Sequence, residues 1–148
     1  MSEEENGELM KPFMEEKIND VIWSMESDKA PGPDRFSFHF YRLCWTIIRE
    51  YLLRMIKAFQ LKSKVGGSTN STFLALILKE VNPTSFEIFR PISLFNASYK
   101  IFSKLLSNRL KPLLGKLISS LQGGYVKGRH IMDNVIQVQE AMHSIFQR

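Results

Sequence analysis

Ile18, Val21, Ile22 and Met25 recur three and four residues apart, which places them on one face of an α-helix and predicts a helix over about 13–25. The stretch SDKAPGPDRF stops it, because Pro31 and Pro33 cannot supply the backbone N–H of a continuing turn. A second helix is predicted over about 37–60, with Phe40, Leu43 and Ile47 apolar and Arg54 and Lys57 basic. LKSKVGGSTNST, containing Gly66 and Gly67, reads as a polar connector. Two β-prone apolar runs follow, roughly 72–80 and 88–94, around a loop holding Asn82, Pro83, Thr84 and Ser85. This is a hairpin pattern, and pairing symmetric about the middle of the loop sets Lys79 opposite Arg90.

Asn96 then reads as the N-cap of a helix over about 97–111, with an apolar stripe of Phe102, Leu105, Leu106 and Leu110. Lys100, Lys104 and Lys111 fall within about 40° of each other on that helix, a basic stripe. Pro112 and Gly115 are expected to interrupt it. QGGYVKGRH is a glycine-rich loop, and Asp133 opens a last helix carrying Val135, Val138, Met142 and Ile145. Residues 1–11 read as a flexible acidic lead-in, with one domain over 12–148. The predicted class is α+β, predominantly helical, with one β-hairpin.

Charge changes this picture. The net charge is +5, but residues 1–34 carry 3 basic and 10 acidic groups, while residues 35–129 carry 16 basic and 3 acidic. A region of +13 suits a polyanionic partner, since Lys and Arg release counterions from a phosphate backbone; an ordinary basic solvated surface is the alternative. The one cysteine, Cys44, excludes a disulfide framework. No apolar run reaches the roughly 20 residues of a membrane span, and the acidic N-terminus lacks a signal-peptide core. An intracellular protein, in nucleus or cytoplasm, is expected.

Candidate chemistry is sparse. His39, Cys44, His130 and His143 lack the paired spacing of a zinc site, so no metal site is assigned. Gly123 and Gly128 have the spacing of a phosphate-binding loop, but Arg129 and His130 stand where Lys and Ser or Thr belong. Phosphoryl transfer with two metal ions needs converging carboxylates, and only Glu80 and Glu87 lie at the hairpin, so no catalytic residue is assigned. Asp133 reads as a helix cap. Lys79 and Arg90, facing each other, repel unless water screens them or an anion of several charges bridges them. A planar guanidinium beside a compact ammonium suits phosphates.

KAPGPDRF (29–36), the LILK segment (76–79), FRPISL (89–94), YKIFSKLLSNRLKPLL (99–114) and QGGYVKGRHIMDNV (122–135) together resemble, in order and spacing, the N-terminal half of a reverse transcriptase of plant LINE-type (non-LTR) retrotransposons. The resemblance covers about residues 10–148. It implies a fingers subdomain with an incomplete palm, whose hairpin folds over the incoming deoxynucleotide triphosphate with Lys79 and Arg90 on the phosphates. It makes Gln122, Gly124, Lys127 and Arg129 template contacts, joined by the basic-stripe residues Lys100 and Lys104. The implied partners are an RNA template, DNA or an RNA–DNA hybrid, and the deoxynucleotide triphosphate, with the missing palm and thumb as a further partner and no membrane.

The chain departs from the family pattern at several positions. Arg35 stands where the family has Gly after APGPD, Leu78 where it has Pro in LIPK, Phe95 where Cys is common and Tyr125 where Phe is common. The family's first catalytic Asp strand is expected beyond Arg148. Mg²⁺ is therefore implied for the complete family enzyme and no cofactor for this chain alone. A non-enzymatic RNA- or DNA-binding protein, or a transposon remnant without function, are the alternative readings.

Overall fold

The computed structural model describes the chain apart from Met1, Ser63, Pro83, Thr84, Ser120, Leu121, Gly124, Tyr125, Lys127, Gln147 and Arg148, and of Ile131 only the backbone. In chain order the described elements are α1 (Glu3–Met10), α2 (Glu15–Ser24), α3 (Phe38–Leu43), α4 (Trp45–Lys62), β1 (Thr72–Leu78), a 3-10 turn (Phe86–Ile88), β2 (Phe89–Phe95), α5 (Ala97–Leu117) and α6 (Ile131–Phe146). The fold is α+β and predominantly helical, with a two-stranded antiparallel sheet. It divides into two compact units, Lys11–Ser107 and Met1–Met10 with Asn108–Arg148, so the division falls within α5.

The buried core lies in the unit of residues 11–107. Ile18, Val21 and Ile22 of α2 are all buried, as their spacing predicts. Phe38 and Tyr41 of α3, Leu52 and Ile56 of α4, and Ala97, Ile101 and Leu105 of α5 close around them. The helix predicted over 37–60 is two helices, joined at Cys44. Arg42 explains the break: its guanidinium donates to the carbonyls of Ile22, Trp23 and Met25 at the C-terminus of α2 and lies 5.3 Å from the centre of the Trp23 ring. Those contacts fix α3 against α2, while α4 turns to bury a different face. Leu43 and Ile47, predicted as apolar-face residues, are therefore exposed. Gln60 ties the end of α4 to the segment before α2, accepting from Phe13 N–H at 3.3 Å and donating to Lys11 O at 3.1 Å.

The hairpin pairs Thr72 with Phe95 through Leu78 with Phe89. This register corrects the expected one: Arg90 lies opposite Ile77, and Lys79 N–H donates to Ile88 O at 2.8 Å. The 3-10 turn Phe86–Ile88 takes up chain between the strands, and β1 ends at Leu78, two residues short of the expected end at 80. Phe73, Leu74, Leu76, Ile77, Leu78 and Ile92 remain exposed, on both faces of the ribbon.

In the other unit, α5 continues through Pro112 and Gly115 to Leu117, against the expected interruption. A proline inside a helix removes one backbone hydrogen bond and bends the axis, but the next turn can close again, and Ile118 N–H reaches Leu114 O at 3.0 Å. The acidic segment 1–11, expected as a lead-in, contains the helix α1. Ser2 and Glu5 start it with a capping box: Glu5 N–H donates to Ser2 Oγ at 3.2 Å and Ser2 N–H to Glu5 Oε2 at 2.8 Å. The apolar residues of α6, Val135, Val138, Met142 and Ile145, are exposed. Among the described residues, no helix is long and apolar enough to cross a membrane.

Candidate nucleotide and nucleic-acid site

Side chains alternate between the faces of a strand, so a register shift of two residues keeps Lys79 and Arg90 on the same face. They are diagonal neighbours rather than a facing pair, roughly 7–8 Å apart at the backbone. Lys79 Nζ donates to Glu87 O at 2.6 Å, so the ammonium is drawn toward the turn. Arg90 is exposed and has no side-chain partner among the described residues. The diagonal offset and the Glu87 carbonyl together relieve the repulsion that a facing pair would feel. Asn82, at φ 70, takes the left-handed turn conformation that asparagine tolerates better than most residues.

The start of α5 is tied to the APGPD turn through Asn96. Its backbone carbonyl accepts from Lys100 N–H at 3.1 Å, as an N-cap residue's should. Its side chain does other work: Oδ1 accepts from Asp34 N–H at 3.0 Å, and Nδ2 donates to Ser68 O at 2.9 Å. Buried Asn96 therefore joins the turn, the connector and α5. Gly32 permits the approach, since a Cβ there would fall 2.6 Å from Asn96 Oδ1. Arg35 N–H closes the turn onto Gly32 O at 2.9 Å, with Arg35 itself at φ 60.

Lys100, expected at the template, donates to Ala30 O of the same turn at 3.1 Å. Burial lowers its pKa, partly offset by the charge of Asp34. Lys104 is half-buried with no side-chain partner among the described residues. Close by, burial pushes the Tyr41 phenol up to about 12, with the Asp34 charge adding to the shift.

The glycine-rich loop is built as a helix connector. Arg129 donates to Gly115 O at 3.4 Å and Ile118 O at 3.3 Å, carbonyls at the C-terminal end of α5, and also to Ser119 O and Gln122 O. A cation at a helix C-terminus satisfies orphan carbonyls and opposes the helix dipole. Gln122 is exposed; its backbone N–H donates to Ser119 O at 3.1 Å. Gly123 is buried where a Cβ would crowd Asn134 at 3.0 Å. At the start of α6 the Asp133 carboxylate accepts from His130 N–H at 3.1 Å, so Asp133 caps the helix as expected. Gly124 and Lys127 lie outside the described residues.

Three features escaped the sequence reading. Arg42 was hidden inside an apparently continuous helix. Asn96 announced a cap but not a three-way bridge. The third is a pair of cations on the second half of α5, Arg109 and Lys116, that hold α1; its only trace in the sequence was the Ser2-x-x-Glu5 spacing. Among the described residues no three His, Cys, Asp or Glu side chains gather.

No protein-family model matches the chain. It is similar to the Transposon TX1 uncharacterized 149 kDa protein of Xenopus laevis, 28% identical over 143 residues, which is 97% of this chain and 11% of that protein. The chain therefore has a sequence relationship to a transposon-encoded protein and spans about a tenth of its length.

Proposed function

We propose that the chain derives from a LINE-type (non-LTR) retrotransposon, of the plant kind its motifs match, and is the fingers part of its reverse transcriptase with the beginning of the palm. The observation that carries this reading is the similarity to a transposon-encoded protein along 97% of the chain. The hairpin, with two cations on one face near its tip, adds chemical support.

In this reading Arg90 offers its guanidinium fork to the triphosphate of an incoming deoxynucleotide, and Lys79 leaves the Glu87 carbonyl to add a second positive charge. Gln122, Gly124, Lys127 and Lys104 are the proposed template contacts. Lys100 and Arg129 act at one remove, holding the APGPD turn and the glycine-rich loop through backbone carbonyls. The Mg²⁺ of polymerase chemistry needs converging carboxylates. Among the described residues no three His, Cys, Asp or Glu side chains gather, and the residues of this chain are assigned nucleotide and template binding.

The test is direct binding of a fluorescent deoxynucleotide triphosphate and, separately, of a labelled RNA–DNA hybrid. Arg90→Ala and Lys79→Ala are each expected to weaken nucleotide binding about tenfold, roughly 1.4 kcal/mol, and to leave hybrid binding nearly intact. No nucleotide binding, or binding indifferent to both substitutions, sinks the clamp. Hybrid binding that persists in that case identifies a non-enzymatic nucleic-acid-binding protein instead.

A further inference from the structure

α1 is held to α5 by an ion pair and a hydrogen bond. Lys116 Nζ lies 2.6 Å from Glu5 Oε1, and Arg109 Nη1 donates to Leu9 O at 2.9 Å, so α1 runs antiparallel along the second half of α5. No residue of α1 is buried. An eight-residue helix is marginal in water on its own, so these contacts keep it in place. The Lys116 ammonium, helped by the Ser2 N–H, holds the Glu5 carboxyl below its ordinary value. Glu8 favours the charged form of Arg109 against a larger opposing effect of burial.

The two cations stand seven residues apart, which puts them on one face of α5 about 10 Å from each other. That spacing lets the two cations meet different phosphates of one strand. α1 brings the Glu5 carboxylate to Lys116 and the charge of Glu8 to Arg109, while Glu3 and Glu4 are exposed on the same helix. It is the anionic ligand that the cations already bind.

We propose that Arg109 and Lys116 form a further binding surface for a nucleic-acid phosphate backbone, and that α1 is its removable acidic cover. A strand displaces α1 by exchanging its phosphates for Glu5 and the Leu9 carbonyl, and no residue of the buried core is uncovered. The inference rests on the reading that the chain binds nucleic acid.

The test compares two full-length double variants of equal net charge, E5Q/E8Q and E3Q/E4Q, for binding to a labelled single-stranded RNA across a salt series. The first should bind about tenfold tighter than the second, with a salt dependence steeper by about 1.4, the equivalent of two newly engaged cations. Adding Arg109→Gln and Lys116→Gln should erase that gain. Equal affinities for the two double variants overturn the cover. If no variant binds RNA, the nucleic-acid reading fails, and the cover is judged by acetylation of Lys116 alone. Acetylation several-fold faster in E5Q/E8Q than in E3Q/E4Q upholds it, and equal rates overturn it.

Discussion

Arg35 holds a left-handed backbone, φ 60, although it carries a Cβ and a long charged side chain. That conformation brings Cβ against the following carbonyl and costs a non-glycine residue roughly 1–2 kcal/mol, part of which glycine returns as greater freedom in the unfolded chain. Arg35→Gly is therefore expected to stabilise the fold by about 0.5–1 kcal/mol, read as a higher urea midpoint at unchanged slope. A lower midpoint would mean that the exposed arginine makes compensating contacts. This position was legible from the sequence because the motif that APGPD resembles has glycine there. Asn96 was only half legible. Its identity marks a helix start, but a side chain that also binds residues 28 and 62 positions away in sequence cannot be read from local spacing.

Among elements, those with a full apolar period were legible and those defined by an interruption were not. The α2 face followed from Ile18, Val21 and Ile22 alone. The break at Cys44 depends on Arg42 finding carbonyls on another helix, and the passage of α5 through Pro112 depends on the turn re-forming beyond it. The hairpin was found, but its register was set by a 3-10 turn that carries no hydrophobic signal. That register makes a further statement about the ladder. Lys79 N–H donates to Ile88 O, so by alternation Ile77 sits in a hydrogen-bonded pair with Arg90, while Leu78 N–H points away from β2. Pro91, opposite Leu76, falls in the same outward class, where a missing N–H is harmless. Leu78→Pro, which gives the residue of the LIPK pattern this segment resembles, should thus change stability by less than about 0.5 kcal/mol. Ile77→Pro should cost at least about 1 kcal/mol more through a lost ladder bond. Equal losses in urea unfolding would show that the ladder alternates the other way.

At the scale of the whole molecule, stability is distributed unevenly. Among the described residues, every large side chain in the buried core belongs to the unit of residues 11–107. The unit that holds α1, the second half of α5 and α6 is built from capping contacts and ion pairs: Ser2 with Glu5, Lys116 with Glu5, Arg129 on α5 carbonyls, Asp133 on His130. Exposed ion pairs contribute only about 0–1 kcal/mol each, whereas a buried leucine or isoleucine contributes about 1.5–3 kcal/mol. Val135, Val138, Met142 and Ile145 of α6 lie in water and add little of that second kind. Hydrogen exchange should therefore separate the two units. Amides of α2, α4 and the first half of α5 should exchange only with global unfolding, and those of α6 through local opening several kcal/mol cheaper. Raising salt should speed exchange in α1, whose hold on α5 is electrostatic, and leave α2 unchanged. Uniform protection from α2 through α6 would show instead that the molecule unfolds as one cooperative body.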